Sequence, residues 1–296
     1  MTTADFAPET ASNIALARHF LSINQPQRVL DILSHLNSAD LENWEFWYIR
    51  GRALYQLDRF DEAFNTAQTG LSKEPEAGPL LYLLCNLYAE RDNLAMAETL
   101  ILKTLRQDPE NPVLLCRYAE LLGQDNQLDK ATRLVNEAAR LAPTHPYVAQ
   151  TRATLAYLQG NDKMVMQHSR KILSDDPEDT YGHYMLGASL SNTGDVQGAE
   201  QQFRTAARLD PENPDVTHIA REARFQVHPL LWPLLPAYRL GTIRLWIGAI
   251  IIMVALTMLG YSQAASIFAW VYLGYCVYSW VVPPLLRWWL SRQAHK

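Results

Sequence analysis

Eight His and three Cys are the side chains here that most readily bind metals or attack carbonyls. Their spacing does not gather them into a site. Cys85, Cys116 and Cys276 lack the paired spacing of zinc ligands and suggest no disulfide framework. The chain has no Gly-rich phosphate loop, no His-Glu-x-x-His and no Gly-x-Ser-x-Gly. Catalytic residues, metal and cofactor are all expected to be none. The remaining chemistry is recognition: nine Tyr lie between residues 44 and 213, and Tyr offers contact area and a hydroxyl at low entropic cost. Whether those rings share one surface depends on the elements that carry them.

The elements show in the prolines. Pro75, Pro109, Pro143, Pro177 and Pro211 stand 34 residues apart, and the phrase DPENP occurs at 108–112 and again at 210–214. Units of that length run 44–77, 78–111, 112–145, 146–179 and 180–213. Position 8 of each unit is small (Gly51, Cys85, Ala119, Ala153, Gly187). Position 20 is small in all but one (Ala63, Ala97, Ala131, Val165, Ala199). Small residues recur where two helices must approach closely. Position 28, with Leu71, Leu105, Ala139, Leu173 and Ala207, is an apolar seam. Between these marks apolar residues fall three and four apart, as on a helix face. In 180–213, Tyr184, Leu186 and Leu190 sit on a first helix. Val196, Ala199, Phe203 and Ala206 sit on a second, with a turn at Asn192–Asp195. DPENP is punctuation: the residue before Pro avoids the helical region, Asn is a good N-cap, and Pro suits a first helical turn. His183 and Cys85 fall at packing positions and read as structural.

This pattern resembles the tetratricopeptide repeat family, most closely at LGASLSNTGDVQGAEQQFRTAARLDP (186–211). A divergent sixth unit is expected at 10–43 and a capping helix at 214–225. The weakest of the five clear units is 146–179. The fold class expected is therefore all-α: a superhelical solenoid of helix-turn-helix repeats, followed by two transmembrane helices. The resemblance implies that positions 2, 5, 9 and 12 or 13 of each unit line a concave groove. Those positions hold Tyr48, Arg52, Tyr55, Tyr82, Asn86, Glu90, Glu120, Tyr147, Gln150, Tyr157, Tyr181 and Tyr184. Tyr55 and Tyr157 could also be claimed by the core. The other ten are the candidate protein-binding residues. Some family members clamp a terminal carboxylate with Lys and Asn. Asn86 is present, but Tyr82 and Val113 stand where the lysines belong, so that specificity is not expected. Arg52 and Arg18 could meet an acidic partner, Glu90 and Glu120 a basic one.

The charge is split. All 31 acidic residues and 21 of the 26 basic ones precede residue 226. The basic tail after it carries six of the eight Trp, and no charge between Leu245 and Leu286. An acidic body lacks the basic footprint nucleic acid requires. The uncharged run is too long for one helix, since roughly 20 residues cross a bilayer, and GYSQAAS interrupts it. Two crossings are expected, about 244–261 and 264–283, after an interfacial Pro-rich linker. Arg239 and Arg244 precede them; Arg287, Arg292 and Lys296 follow, so both ends should be cytoplasmic. The polar N-terminus, MTTADFAPET, has no basic n-region or apolar h-region, and a bacterial inner membrane is the expected location.

The domain layout expected is a tail at 1–9, a repeat body at 10–225, the linker at 226–243 and a hairpin at 244–296. Two functions fit. One is a non-enzymatic membrane-anchored adaptor that recruits a protein or peptide through its groove, with membrane lipid as the other contact. The other is an accessory subunit of a membrane complex, in which the hairpin contacts another membrane protein. Tyr272, Tyr275 and Tyr278, and the small pair Ala265 and Ala269, are the hairpin's candidate contacts.

Overall fold

The structure, a computed structural model, describes residues 7–35, 42–234 and 242–293. Every regular element among them is helical. The chain divides into two compact units, Met1–Gly160 and Asn161–Lys296. The first unit holds α1 (Ala7–Ser22), α2 (Pro26–Ser34), α3 (Trp44–Gln56), α4 (Phe60–Lys73), α5 (Gly78–Glu90), α6 (Leu94–Gln107), α7 (Pro112–Gln124), α8 (Leu128–Leu141) and α9 (Pro146–Leu158). The second begins with α10 (Asp162–Asp175), α11 (Thr180–Asn192), α12 (Val196–Leu209) and α13 (Pro214–Gln226). The division falls inside repeat 146–179, the one whose sequence fits the pattern least.

Two devices set the repeat length. The first is the cap between repeats. The Asn111 side chain accepts from the N–H groups of Val113 and Leu114 at 3.0 and 3.3 Å, and Asn213 does the same for Asp215 and Val216. These are the orphan donors of a helix start, so both copies of DPENP work as the sequence predicts. The second is the turn inside each repeat. Asn24, Asp58, Asp92, Asn126, Gly160 and Gly194 all have φ between 54° and 88°. They too are 34 residues apart. Asn, Asp and Gly tolerate this left-handed conformation, which ends a helix by returning N–H groups to its last carbonyls. Asp92 and Asn93 donate to Ala89 and Tyr88, both at 2.9 Å. Asn24 extends the series to the divergent N-terminal repeat, whose residues 36–41 lie outside the described residues.

Packing explains the small positions. Gly51, Cys85 and Ala119 are buried, as are Ala63, Ala97 and Ala131. A Cβ on Gly51 would stand 2.7 Å from Leu83 Cδ2, and one on Gly187 would stand 2.9 Å from two carbons of the Phe203 ring. α13 lays Ile219, Ala220 and Ala223 over Ala199 and Phe203, as the expected capping helix should.

The second unit continues with a 3-10 helix (Pro229–Leu234), α14 (Thr242–Met258) and α15 (Ser262–Gln293). Here the structure corrects the sequence reading. Among the described residues one helix, Ser262–Trp289, is long and apolar enough to cross a membrane; the other apolar stretch, Trp246–Met258, is shorter. α15 also runs ten residues past the expected end at 283. Pro283 and Pro284 leave two ladder donors missing without ending it. Contacts with the cap hold it: Leu286 is buried with Phe225, Leu231 and Leu234, and Arg287 pairs with Glu222 at 3.6 Å. The Tyr278 hydroxyl donates to the Leu230 carbonyl at 2.6 Å. The 3-10 helix thus lies in the predicted linker (226–243); 235–241, with Arg239, lie outside the described residues, as do 1–6 and 294–296.

Replacing Gly187 by Leu should overpack this contact and destabilise the second unit by about 1–3 kcal/mol. Urea unfolding followed by circular dichroism measures it, with the exposed Gln201→Leu as the control that should change little.

Candidate protein-binding groove

First helices α3, α5, α7 and α9 of the first unit carry eight of the ten candidate residues. α3 presents Tyr48, Arg52 and Tyr55 on one face, because residues four and three apart stack on a helix. α5 presents Tyr82, Asn86 and Glu90 in the same way. The N-terminal parts of these faces, with α7, border an open pocket of about 450 Å³. Tyr48 and Tyr82 line it together with Pro79, Gln107, Asn111 and Val113. Gln107 and Asn111 come from the end of α6 and the linker, positions the family pattern does not assign to the groove.

Neighbouring first helices are tied by tyrosine hydroxyls. Tyr55 donates to Glu90 Oε1 at 2.9 Å, linking α3 to α5. Tyr147 donates to Glu120 Oε2 at 2.7 Å, linking α9 to α7. Glu120 accepts further bonds from Thr151 at 3.1 Å and Arg117 at 3.2 Å. The Arg117 and Glu120 side chains are only 13% and 18% exposed, so this carboxylate is committed within the chain. Burial, then the Glu120 charge, pushes the Tyr147 phenol far above its ordinary range; burial also raises Tyr82. Both remain neutral donors at any physiological pH.

Arg117 was not among the predicted residues, yet it left a signal. Position 6 of the other repeats holds Ile49, Leu83, Thr151 and Met185, all buried. A charge at that position marks the network.

The tyrosines have two roles. Tyr48, Tyr82, Tyr147 and Tyr184, expected to line the groove, are also packed against buried clusters. Tyr157, which the core could have claimed, is 43% exposed. Tyr181 and Tyr184 lie in the second unit, where Tyr184 meets the Phe203 ring edge-on at 5.9 Å. Gln150 is half-buried on α9.

The charged candidates separate. Arg18 is bonded to Glu45, Glu90 to Tyr55, and Glu120 is enclosed. Arg52 forms no ion pair or hydrogen bond among the described residues, and its buried Nε is without a partner. Among the described residues no group of three or more His, Cys, Asp or Glu could hold a metal.

The tetratricopeptide repeat family matches residues 15–79 and 181–213. Over 156 residues the chain is 25% identical to a tetratricopeptide repeat-containing protein of Pseudomonas aeruginosa, covering 51% of this chain and 26% of the relative. The chain therefore spans about a quarter of that protein's length. A tetratricopeptide repeat protein from Parabacteroides merdae superimposes with a TM-score of 0.64 at 18% identity, over 72% of this chain and 83% of that one. A chain of the APC/C hetero-tetramer Cut9–Hcn1 gives 0.62 at 12% identity, over 72% and 42%. These likenesses are of fold; the family matches identify residues 15–79 and 181–213 as tetratricopeptide repeats.

Two predictions follow from the network. Glu120→Ala strands a buried guanidinium and should cost roughly 3 kcal/mol, against about 1 kcal/mol for Tyr147→Phe, measured by urea unfolding. The first unit should also lose stability in alkali. Burial pushes Cys85 and Cys116 up to about 11; burial with a bond to Glu90 or Glu98 pushes Tyr55 and Tyr118 up to about 12. Neutral forms are favoured by folding, so this stability is complete below the unfolded values near 9 to 10 and disappears as pH rises through 11 to 12. Melting temperature should fall across that window.

Proposed function

We propose that this protein is a non-enzymatic scaffold held at the cytoplasmic face of a membrane, recruiting a protein or peptide partner through the tetratricopeptide groove of its body (10–225). The observation that carries the reading is the pocket between α3, α5 and α7. It offers aromatic faces at Tyr48 and Tyr82, with an unpaired cation at Arg52 and the Asn86 amide one turn further along the same helices. A segment combining an apolar anchor with a carboxylate complements it. Glu120 is enclosed and is not offered to a basic partner; Glu90 is exposed beside Tyr55, and Asp108, which also lines the pocket, accepts from the Asn111 amide at 2.8 Å.

The tail supports the membrane half of the reading. No charged residue occurs from Leu245 to Leu286, and large side chains stand open on both helices: Ile251 is 61% exposed, Trp270 73% and Trp280 84%. An apolar surface this extensive needs a non-aqueous environment. Basic residues flank the hairpin at Arg244 and Arg287, which favours both ends on the cytoplasmic side, in a bacterium the inner membrane. A second reading makes the hairpin the contact surface of a larger membrane complex; the exposed Trp270 and Trp280 would serve it equally.

In-cell photocrosslinking tests the groove. A photoreactive residue at Tyr48 or Tyr82 should capture a partner that the exposed Gln201 does not. Arg52→Glu should reduce capture at Tyr82 by about tenfold or more, the scale of one hot-spot charge. Capture that survives when 242–296 is exchanged for a foreign anchor supports the scaffold. Capture only from the hairpin overturns it in favour of the complex subunit.

A further inference from the structure

We infer that the C-terminal hairpin is a monotopic anchor, entering the bilayer from one face with its tip inside the membrane and emerging on neither side. The inference rests on the membrane reading above and concerns how deeply the hairpin can go. Its occupant is the hydrocarbon of a phospholipid bilayer, which the absence of charge and the exposed apolar surface both require.

Each arm of the hairpin has a stop, and the two stops agree. On α14 the stop is Arg244, in the first turn of the helix. From there to the turn at Gly260 is 16 residues, a reach of about 24 Å at 1.5 Å per residue. On α15 the stop is the cap. The 3-10 helix is bonded to Tyr278 through the Leu230 carbonyl and packs on Tyr275, Tyr278, Val282 and Leu286. Beyond it α13 holds Arg287 through Glu222 and the Phe225 ring. From Tyr278 to Ser262 is again 16 residues, about 24 Å. A hydrocarbon core is about 30 Å thick. The 28-residue apolar stretch that would suffice on length alone therefore has one face of its C-terminal part, at Tyr278, Val282 and Leu286, covered by the protein itself, while Trp280 on another face stays open.

The tip is built to remain in an apolar medium on its α14 side. Gly260 (φ +84°) closes the helix, with Gly260 N–H donating to Thr257 and Tyr261 N–H to Leu256 at 3.2 and 2.9 Å. The Thr257 and Ser266 hydroxyls return to helix carbonyls, at Met253 and Ser262. Met258 and Leu259 are 85% and 71% exposed, and no charged residue is there to draw the tip into water. On the other arm, Leu230 and Trp232 project from the 3-10 helix, 49% and 59% exposed, where an entering hairpin would meet the headgroups.

The test uses the full chain reconstituted into sealed vesicles of zwitterionic and anionic phospholipid, with Cys276 replaced by Ala and the exposed tip residue changed, Gln263→Cys. Flotation first establishes membrane binding, and protease added outside identifies chains whose repeats face outward. For these, a membrane-impermeant maleimide should label Gln263→Cys at least an order of magnitude more slowly than in detergent, whether supplied outside or trapped in the lumen. Rapid labelling by lumenal reagent alone shows a crossing; it overturns the inference and leaves the anchor intact. A chain that does not float and is labelled from outside overturns the anchor and the inference together.

Discussion

The structure depends on how closely its helices approach each other, within a repeat at Gly187 against Phe203 and between successive first helices at Gly51 against Leu83. At Gly51 and Gly187 there is no space for a methyl group against Leu83 or Phe203, and Cys85, Ala119, Ala63 and Ala131 keep the equivalent positions small. Interiors pack at crystal-like density, so this contact fixes the rotation of each first helix about its axis. That rotation decides which side chains turn inward to the core and which line the groove. A single slip of one residue would rotate α5 by about 100° and remove Tyr82 and Asn86 from the face they share with Arg52.

Much of this was legible in the chain because its punctuation is chemical. Pro75, Pro109, Pro143, Pro177 and Pro211 each follow the end of a second helix, and Asn before Pro supplies the next cap at Asn111 and Asn213, so 34-residue boundaries could be read without coordinates. The second punctuation was equally legible, although the sequence reading placed only its last member, in the turn at Asn192–Asp195: Asn24, Asp58, Asp92, Asn126, Gly160 and Gly194 are all residue types that accept positive φ, in step with the prolines. The network around Glu120 was half legible. Glu120 and Tyr147 follow from the groove positions, and Arg117 breaks an otherwise uncharged column. What the sequence could not supply was their pairing. Whether a glutamate on a groove awaits a partner or is already enclosed depends on distances between repeats, and periodicity carries no such distances.

That enclosure changes what a tyrosine does here. A ring at position 2 or 5 is wide enough to complete the core with one edge and reach a neighbouring helix with its hydroxyl. Tyr147 does both, burying its ring near Leu115 and Val148 while bonding Glu120. Such a residue stiffens the groove. A preformed groove loses less conformational entropy on binding, which favours affinity without enlarging the contact. The pocket formed by Tyr48 and Tyr82 lies on helices held in this way, so its shape is set before any partner arrives.

The tail reverses the usual relation between length and crossing. Composition alone makes Ser262–Trp289 a spanning segment, because hydropathy does not register that one face of its last turns is covered by Phe225, Leu231 and Leu234. The cover also explains why α15 survives two prolines: the ladder bonds lost at Pro283 and Pro284 are offset by apolar burial and by Arg287, which meets both Glu222 and the Phe225 ring. On the membrane reading proposed above, the two ends of α15 obey different solvents, one folded as part of a protein surface and the other fitted to lipid. Under the proposed function, an anchor fused in this way to the capping helix would fix the last repeats against the bilayer, where a flexible tether would let them swing. Fixing a binding module at a surface raises the effective concentration of any partner confined to the same surface.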